Sequence, residues 1–277
     1  LRRLKSDKRV IEDLPEKIEM DVFTPLTEEQ AALYQAVLTN LLPQVEHASG
    51  IKRKGLVLSI ITKLKQICNH PALYLKQFET ELSKRSGKLA RLEELLEVIL
   101  AEGDKVLIFT QYAQMGQLLK QHLQEIFARD VLFMHGGIAQ KARQKMVDQF
   151  QAVDGPSIFV LSLKVGGFGL NLTAANQIIH YDQWWNPAVQ EQATDRAFRI
   201  GQKRNVQVRT FITKGTLEER IASMLDQKRF LVESVVQSSK TTLTQMSTEE
   251  LEAILKLSSE FLFDQQSSID NEEGLSL

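Results

Sequence analysis

One cysteine in 277 residues, Cys68, leaves no partner for a disulfide and no multi-cysteine zinc site, and so little cysteine fits a reducing compartment. The five histidines are scattered, none at a metal-ligand spacing with a carboxylate. No apolar run approaches the roughly 18 residues of a spanning helix. The N-terminus has no basic segment followed by an apolar one, so no secretory leader is read there. No internal repeat stands out. A phosphate-binding G-x-x-x-x-G-K-[ST] loop is missing too: Ser86-Gly87-Lys88-Leu89 has the Gly-Lys pair, but no glycine precedes it by five residues and leucine follows. No Asp-Glu pair closes an apolar strand, so the carboxylates that would hold Mg2+ beside such a loop are absent as well.

What is present is ordinary globular composition, 43% apolar and 25% charged, which excludes disorder or fibre for most of the chain. The length allows one large domain or two small ones, and a chain that starts with leucine reads as a piece of something longer. The net charge of −1 hides an uneven distribution. Residues 1–9 carry five positive charges against one negative, residues 51–65 five against none, and residues 195–229 nine against four. From 249 to 277 there are eight acidic residues and one lysine. Basic stretches on a neutral protein suggest contact with a polyanion, while a solvated helix face remains open for any one of them.

The first hundred residues read as mostly helical. After Pro15 comes an alternating, strand-like run to residue 24. Thr27, with Glu and Gln close behind, opens a helix over 27–48. Helices over 51–69, stopped by Pro71, and over 87–102 follow. The pattern then changes to short apolar strands at 105–110, 131–135, 157–162, 177–182 and 206–212. Helices over 113–127, 139–151 and around 188–198 alternate with them, and a long one runs from Thr216 towards Val236. This alternation predicts an α/β fold with a parallel sheet covered on both faces and right-handed crossovers. Ligands of such sheets sit at the carboxyl ends of the strands. A last helix near 248–258 precedes an acidic, partly disordered tail.

Three segments carry chemistry. In SLKVGGFGLNL (162–172), three glycines within four residues follow a buried strand; they let backbone N–H groups approach a phosphate, and Lys164 adds a positive charge. A plain βα turn is the alternative, and a dinucleotide fingerprint is a weak one, because Leu172 stands where a small residue belongs. In QATDRAFRIGQKR (192–204), a helix would set Gln192, Arg196 and Arg199 at i, i+4 and i+7, presenting an amide and two guanidiniums suited to charge on a transferring phosphoryl group. The alternative is a surface helix with an Asp195–Arg199 pair. In DQWWNP (182–187), adjacent tryptophans point to opposite sides, which leaves one of them less buried and able to line an interface or a nucleic-acid surface.

Taken in order and spacing, LRRLKSDKRVIEDLPEK at the start, LKQICNHP, KVLIFTQY, MHGG, LSLKVGGFGLNLTAANQIIHYDQWWNPA, QATDRAFRIGQKR and the trailing GTLEERI resemble the C-terminal half of the motor in Swi/Snf-type DNA-translocating ATPases, a branch of the superfamily-two helicases. The resemblance covers about residues 1–240. It implies an inter-lobe linker over 1–24, a helical insertion subdomain over 25–86, a RecA-like lobe over 87–240, and a C-terminal helix with acidic tail over 241–277. One departure is Phe198, where nuclear remodellers usually carry histidine; it points to a prokaryotic member. The resemblance makes Arg196 and Arg199 finger arginines that reach the γ-phosphate, with Gln192, Gly167 and Asp195 beside the nucleotide. It makes Gln111, Gly136, Gly137, Ser162, Lys164, Asn171 and Trp185 contacts to DNA. ATP and Mg2+ would be bound mainly by an N-terminal RecA-like lobe of the same longer chain, and double-stranded DNA would be the track. The basic run in 51–65 would lie along the DNA flank. The location implied is the cytoplasm, at the nucleoid, for a prokaryotic protein and the nucleus for a eukaryotic one; no membrane partner is implied.

Two other readings stay open at this level. One is a stand-alone DNA-binding or scaffold module without nucleotide contact, which the basic stretches allow. The other is a Rossmann-type methyltransferase or dehydrogenase, which the α/β order and GGFG suggest, with Asp182 as the candidate for the acidic residue at a strand end.

Overall fold

The computed structural model describes residues 15–78, 82–162, 170–184, 186–231 and 243–258, and of 226–231 the backbone alone. Contacts divide the chain into two compact units: Leu1–Val22 with Ala90–Phe211, and Phe23–Leu89 with Ile212–Leu277.

The first unit is built on strands β1 (Lys17–Thr24), β2 (Val106–Thr110), β3 (Val131–Met134), β4 (Ile158–Ser162), β5 (Gln177–His180) and β6 (Val206–Thr213). They form one parallel sheet in the order β1-β6-β5-β2-β4-β3. The RecA-like α/β expectation is met. Strands β2, β4 and β5 are buried at every position, as continuous apolar runs require when both faces are covered. The register sets Thr110 beside Ser162, Phe109 beside His180 and Met134 beside Leu161.

Helix α4 (Gly87–Ala101) leads towards β2, and the covering helices owe their place to apolar spacing. Helix α5 (Ala113–Phe127) buries Met115, Leu118, Leu119 and Leu123, one stripe of a 3.6-residue period. On α6 (Gln140–Gln151), Val147 and Phe150 join Phe109, Phe159 and Leu161 in one cluster. Each fully buried side chain of this kind contributes about 1.5–3 kcal/mol. Lys105 closes the end of α6, where backbone acceptors lack helical partners: its Nζ donates to the carbonyl oxygens of Phe150, Ala152 and Gly155 at 2.8, 2.6 and 3.2 Å.

The second unit is helical. Helix α1 (Glu28–Glu46) opens on the capping box expected at Thr27: the Thr27 hydroxyl accepts from the Gln30 N–H at 3.2 Å and Gln30 Oε1 accepts from the Thr27 N–H at 3.1 Å. Helix α2 (Gly50–Asn69) ends before Pro71, which starts the short α3 (Pro71–Leu75) under a His70 cap. Helix α8 (Leu217–Leu231) and α9 (Thr248–Leu255) complete it. Tyr34 of α1 joins these pieces: its hydroxyl donates to the Leu255 carbonyl at 2.9 Å and accepts from the Leu217 N–H at 3.1 Å. Lys88 and Glu218 form a fully buried ion pair at 2.7 Å. Burial alone would raise the Glu218 carboxyl, but Lys88, ahead of Lys65, holds it below the usual carboxylate range. Cys68 is buried in the same unit, and loss of water pushes its thiol up to about 12, which leaves it unreactive. Of the basic run in 51–65, Arg53 donates to the Thr244 and Met246 carbonyls and Lys65 is buried, so Lys52 and Lys54 are its exposed charges. Among the described residues no helix is long and apolar enough to cross a membrane.

Candidate functional site

Because β2, β3, β4 and β5 run parallel, the loops that leave them emerge along one carboxyl edge. Asp182 organises that edge. Its buried carboxylate accepts from the Thr110 hydroxyl at 2.6 Å and from the Gln111 N–H at 2.9 Å, while Gln111 Nε2 donates to the Gln183 carbonyl at 2.7 Å. This inward engagement removes Asp182 as the ribose-binding acid of a dinucleotide enzyme. Ser162 ends β4 with its side chain buried, 2% exposed. Gly136 and Gly137 follow β3 in the open. Arg143 of α6 donates to the Gly136 carbonyl at 2.8 Å, and the Gly137 N–H donates to His135 Nδ1 at 3.1 Å. A Cβ added at Gly136 would meet nothing within 4 Å, and its backbone needs no positive φ. Nothing inside the fold therefore demands glycine there, whereas the close approach of an outside backbone or phosphate would. Lys164, Gly167 and Trp185 lie outside the described residues. Trp184 packs partly buried against the sheet core.

The arginine segment has a different geometry from the helix expected around 188–198. Helix α7 (Pro187–Thr194) begins on an Asn186 cap and ends at Thr194. Beyond it the N–H groups of Arg196 and Ala197 turn to acceptors three residues back, and the Arg196 carbonyl accepts from the Leu172 N–H at 2.9 Å instead of continuing a helical ladder. Ala197 and Phe198 are drawn into the core. Gln192 is thus exposed on α7, Asp195 is half-buried at its end, and Arg196 and Arg199 sit on a turn and not on one helical face. Arg196 is half-buried; Arg199 is exposed, and its guanidinium makes no hydrogen bond or ion pair among the described residues.

This turn is fastened to residues that lead into the strands, at the amino edge of the sheet. Gln202 Nε2 donates to the carbonyls of Thr173, Ala175 and Ala197. Asn171 is exposed and precedes Leu172, whose N–H is bound by the turn. Nearby, buried Asp104 accepts from Asn176 at 2.7 Å and Gln177 at 2.8 Å and pairs with Arg204 at 2.5 Å. Burial would raise the Asp104 carboxyl; the bonds from Gln177 and Asn176, with Arg204, outweigh it and hold it below its ordinary value. Between the two regions stands His180. It stacks on Phe109 at 5.4 Å, its Nε2 lies 3.0 Å from the Thr194 hydroxyl, and burial lowers its pKa to about 3. Sequence reasoning did not single out Gln202, Arg143 or Asp104. Only Gln202 lay inside a segment already singled out, and nothing in its surroundings along the chain marks it as buried.

Among the described residues no group of three or more His, Cys, Asp or Glu side chains could hold a metal ion.

Comparison with known proteins fits this arrangement. The family "Helicase conserved C-terminal domain" matches residues 87–201, and "SNF2-related domain" matches residues 1–73. The chain is similar to the putative ATP-dependent helicase/translocase YwqA of Bacillus subtilis, 49% identical over 93% of this chain and 28% of that protein. It is 35% identical to the human DNA excision repair protein ERCC-6 over 87% of this chain and 17% of that one. The chain thus spans less than a third of these relatives. Among solved structures, the Sulfolobus solfataricus SWI2/SNF2 ATPase core in complex with dsDNA superposes with a TM-score of 0.79 at 46% identity, covering 93% of this chain and 54% of that one. The separate C-terminal domain of the Sulfolobus solfataricus SWI2/SNF2 ATPase superposes with a TM-score of 0.75 at 43% identity, covering 88% of this chain and all of that one. The parallel sheet, the ordered motifs and these matches lead to one conclusion: the chain belongs to the SWI2/SNF2 family of helicase-like proteins and corresponds to its C-terminal, RecA-like domain.

Proposed function

We propose that this chain is the second motor lobe of an ATP-dependent double-stranded DNA translocase. The N-terminal RecA-like lobe of the same longer protein would hold ATP and Mg2+, consistent with the missing phosphate-binding loop and acid pair. This lobe would contribute Arg199, with Arg196 behind it, to the γ-phosphate, where negative charge spreads over the equatorial oxygens during transfer. Gln192 and Asp195 stand beside that turn, and Gly167, between β4 and β5 along the chain, would link it to the DNA side. Gln111, Gly136, Gly137, Lys164 and Trp185 would serve DNA through contacts to its backbone, which need no sequence preference; Ser162, buried at the end of β4, and Asn171, next to the Leu172 that binds the arginine turn, would support that face. By itself the chain would not hydrolyse ATP.

The observation that carries this reading is Arg199: an exposed guanidinium without an internal partner among the described residues, on a turn held by buried bonds. A side chain that the fold does not use, on a support that the fold maintains, is suited to an external anion. In the full-length protein, Arg199→Ala should lower DNA-stimulated ATP turnover about 10³-fold or more, with melting temperature and DNA affinity unchanged. Arg199→Lys should not rescue, since a point charge lacks the planar fork. Near-normal turnover in Arg199→Ala, or unfolding of the chain, would refute the assignment.

A further inference from the structure

Gln202 is buried, 5% exposed, between the arginine turn and β6. A buried primary amide has two N–H donors and an acceptor oxygen to satisfy. Its Nε2 donates to the carbonyls of Thr173 at 3.2 Å, Ala175 at 2.8 Å and Ala197 at 3.3 Å. Its Oε1 accepts from the N–H groups of Lys203 at 2.9 Å and Arg204 at 3.0 Å. Its own N–H donates to the Arg199 carbonyl at 2.9 Å. One residue thus ties the turn into β5, the arginine turn and the approach to β6. Gly201, at φ +100°, supplies the reversal that brings the amide back under Ala197.

We propose that Gln202 is the positioning residue of Arg199, which deepens the function proposed above and rests on it. The Arg199 guanidinium has no contact of its own to orient it among the described residues. Its direction is therefore inherited from the backbone turn, and Gln202 is the side chain bonded to both ends of that turn, at Ala197 and beyond Gly201. Catalytic groups must be held closely: a displacement of about 1 Å costs roughly a hundredfold in rate.

The test uses the full-length protein and two variants. Gln202→Glu keeps the shape and the acceptor for Lys203 and Arg204 but sets a carboxylate oxygen against three carbonyls. Gln202→Met keeps length and removes both functions without adding charge. Turnover is counted per DNA-binding-competent molecule, so that loss of folded protein does not register. The expected result is a fall in kcat of about 10–100-fold with KM for ATP within about twofold of wild type. Arg204→Ala, which breaks the neighbouring pair with Asp104, should lower the melting temperature and leave kcat unchanged. Wild-type kcat in both Gln202 variants, or an equal fall in Arg204→Ala, would overturn the inference. Arg199→Ala, measured beside them, separates the levels. If it keeps turnover, the finger assignment fails and this inference with it; if it loses turnover while both Gln202 variants keep theirs, this inference alone fails.

Discussion

At the carboxyl edge of the sheet the candidate groups are mostly backbone: the exposed chain at Gly136 and Gly137, and Gln111 held by Asp182. On the arginine turn they are side chains, and the backbone is consumed in holding them, through Leu172 and Gln202. The contrast follows from what each would meet. A nucleic-acid backbone presents repeated phosphates that N–H groups can follow, with glycine leaving room for close approach. A single transferring phosphoryl group requires concentrated charge delivered from a fixed point.

Beside the thousandfold loss expected for Arg199→Ala, three measurements would sharpen or break this contrast. The largest concerns the amino edge. Asp104→Ala leaves the buried amides of Asn176 and Gln177 without their acceptor and should cost about 2–4 kcal/mol of stability. DNA affinity per folded molecule should stay the same, since the carboxyl edge has its own anchor in Asp182. A parallel loss of affinity would mean that the two edges are one device.

His180 tests the link between them. Its folded pKa, about 3, lies below the ordinary 6.5, so the unfolded chain takes up the proton first. This contribution to stability is complete above pH 6.5 and is lost as pH falls towards 3. Below 6.5 its full slope is about 1.4 kcal/mol per pH unit. Denaturant melts of wild type and His180→Phe should diverge as pH falls from 7 to 5, the difference in slope approaching that full value only near pH 5; identical pH dependence would show that His180 is not held neutral by burial.

The smallest effect is at Gly136. The Cβ of Gly136→Val meets no atom within 4 Å, so the melting temperature should stay at the wild-type value. The substitution should weaken duplex binding roughly five- to tenfold, the worth of about one good contact. It removes no cation, so the dependence of affinity on salt should keep its slope, whereas Lys164→Ala should reduce that slope by about 0.9 if the lysine meets a phosphate. Unchanged affinity in Gly136→Val would remove the β3 loop from the DNA face.

Much of this was legible along the chain. The strands announced themselves as short apolar runs, Thr27 as a cap and Pro71 as a stop, because these signals are local. The arginine segment was legible in identity but not in shape. Its spacing reads as helix to residue 198, yet α7 ends at Thr194, since the Arg196 carbonyl finds the Leu172 N–H, a partner outside the segment. Ser162 and Asn171 read as DNA contacts by resemblance; in the structure Ser162 is buried, and Asn171 adjoins the Leu172 that binds the arginine turn. Periodicity says nothing about which loop a free carbonyl will meet.

The sequence by itself determined the α/β class, the order of the elements, the residue types at each strand end, and the absence of a phosphate-binding loop, because each depends on composition and near-neighbour spacing. The tertiary structure alone decided which of those residues have work inside the fold and which are left for something outside it. Asp182, Arg143, Asp104 and Gln202 face inward because buried polar groups must find partners, while the Arg199 guanidinium and the space beside the Gly136 Cα remain open because no neighbouring element covers them. That division depends on contacts between residues far apart in the chain, and only the packed sheet brings them within hydrogen-bond reach.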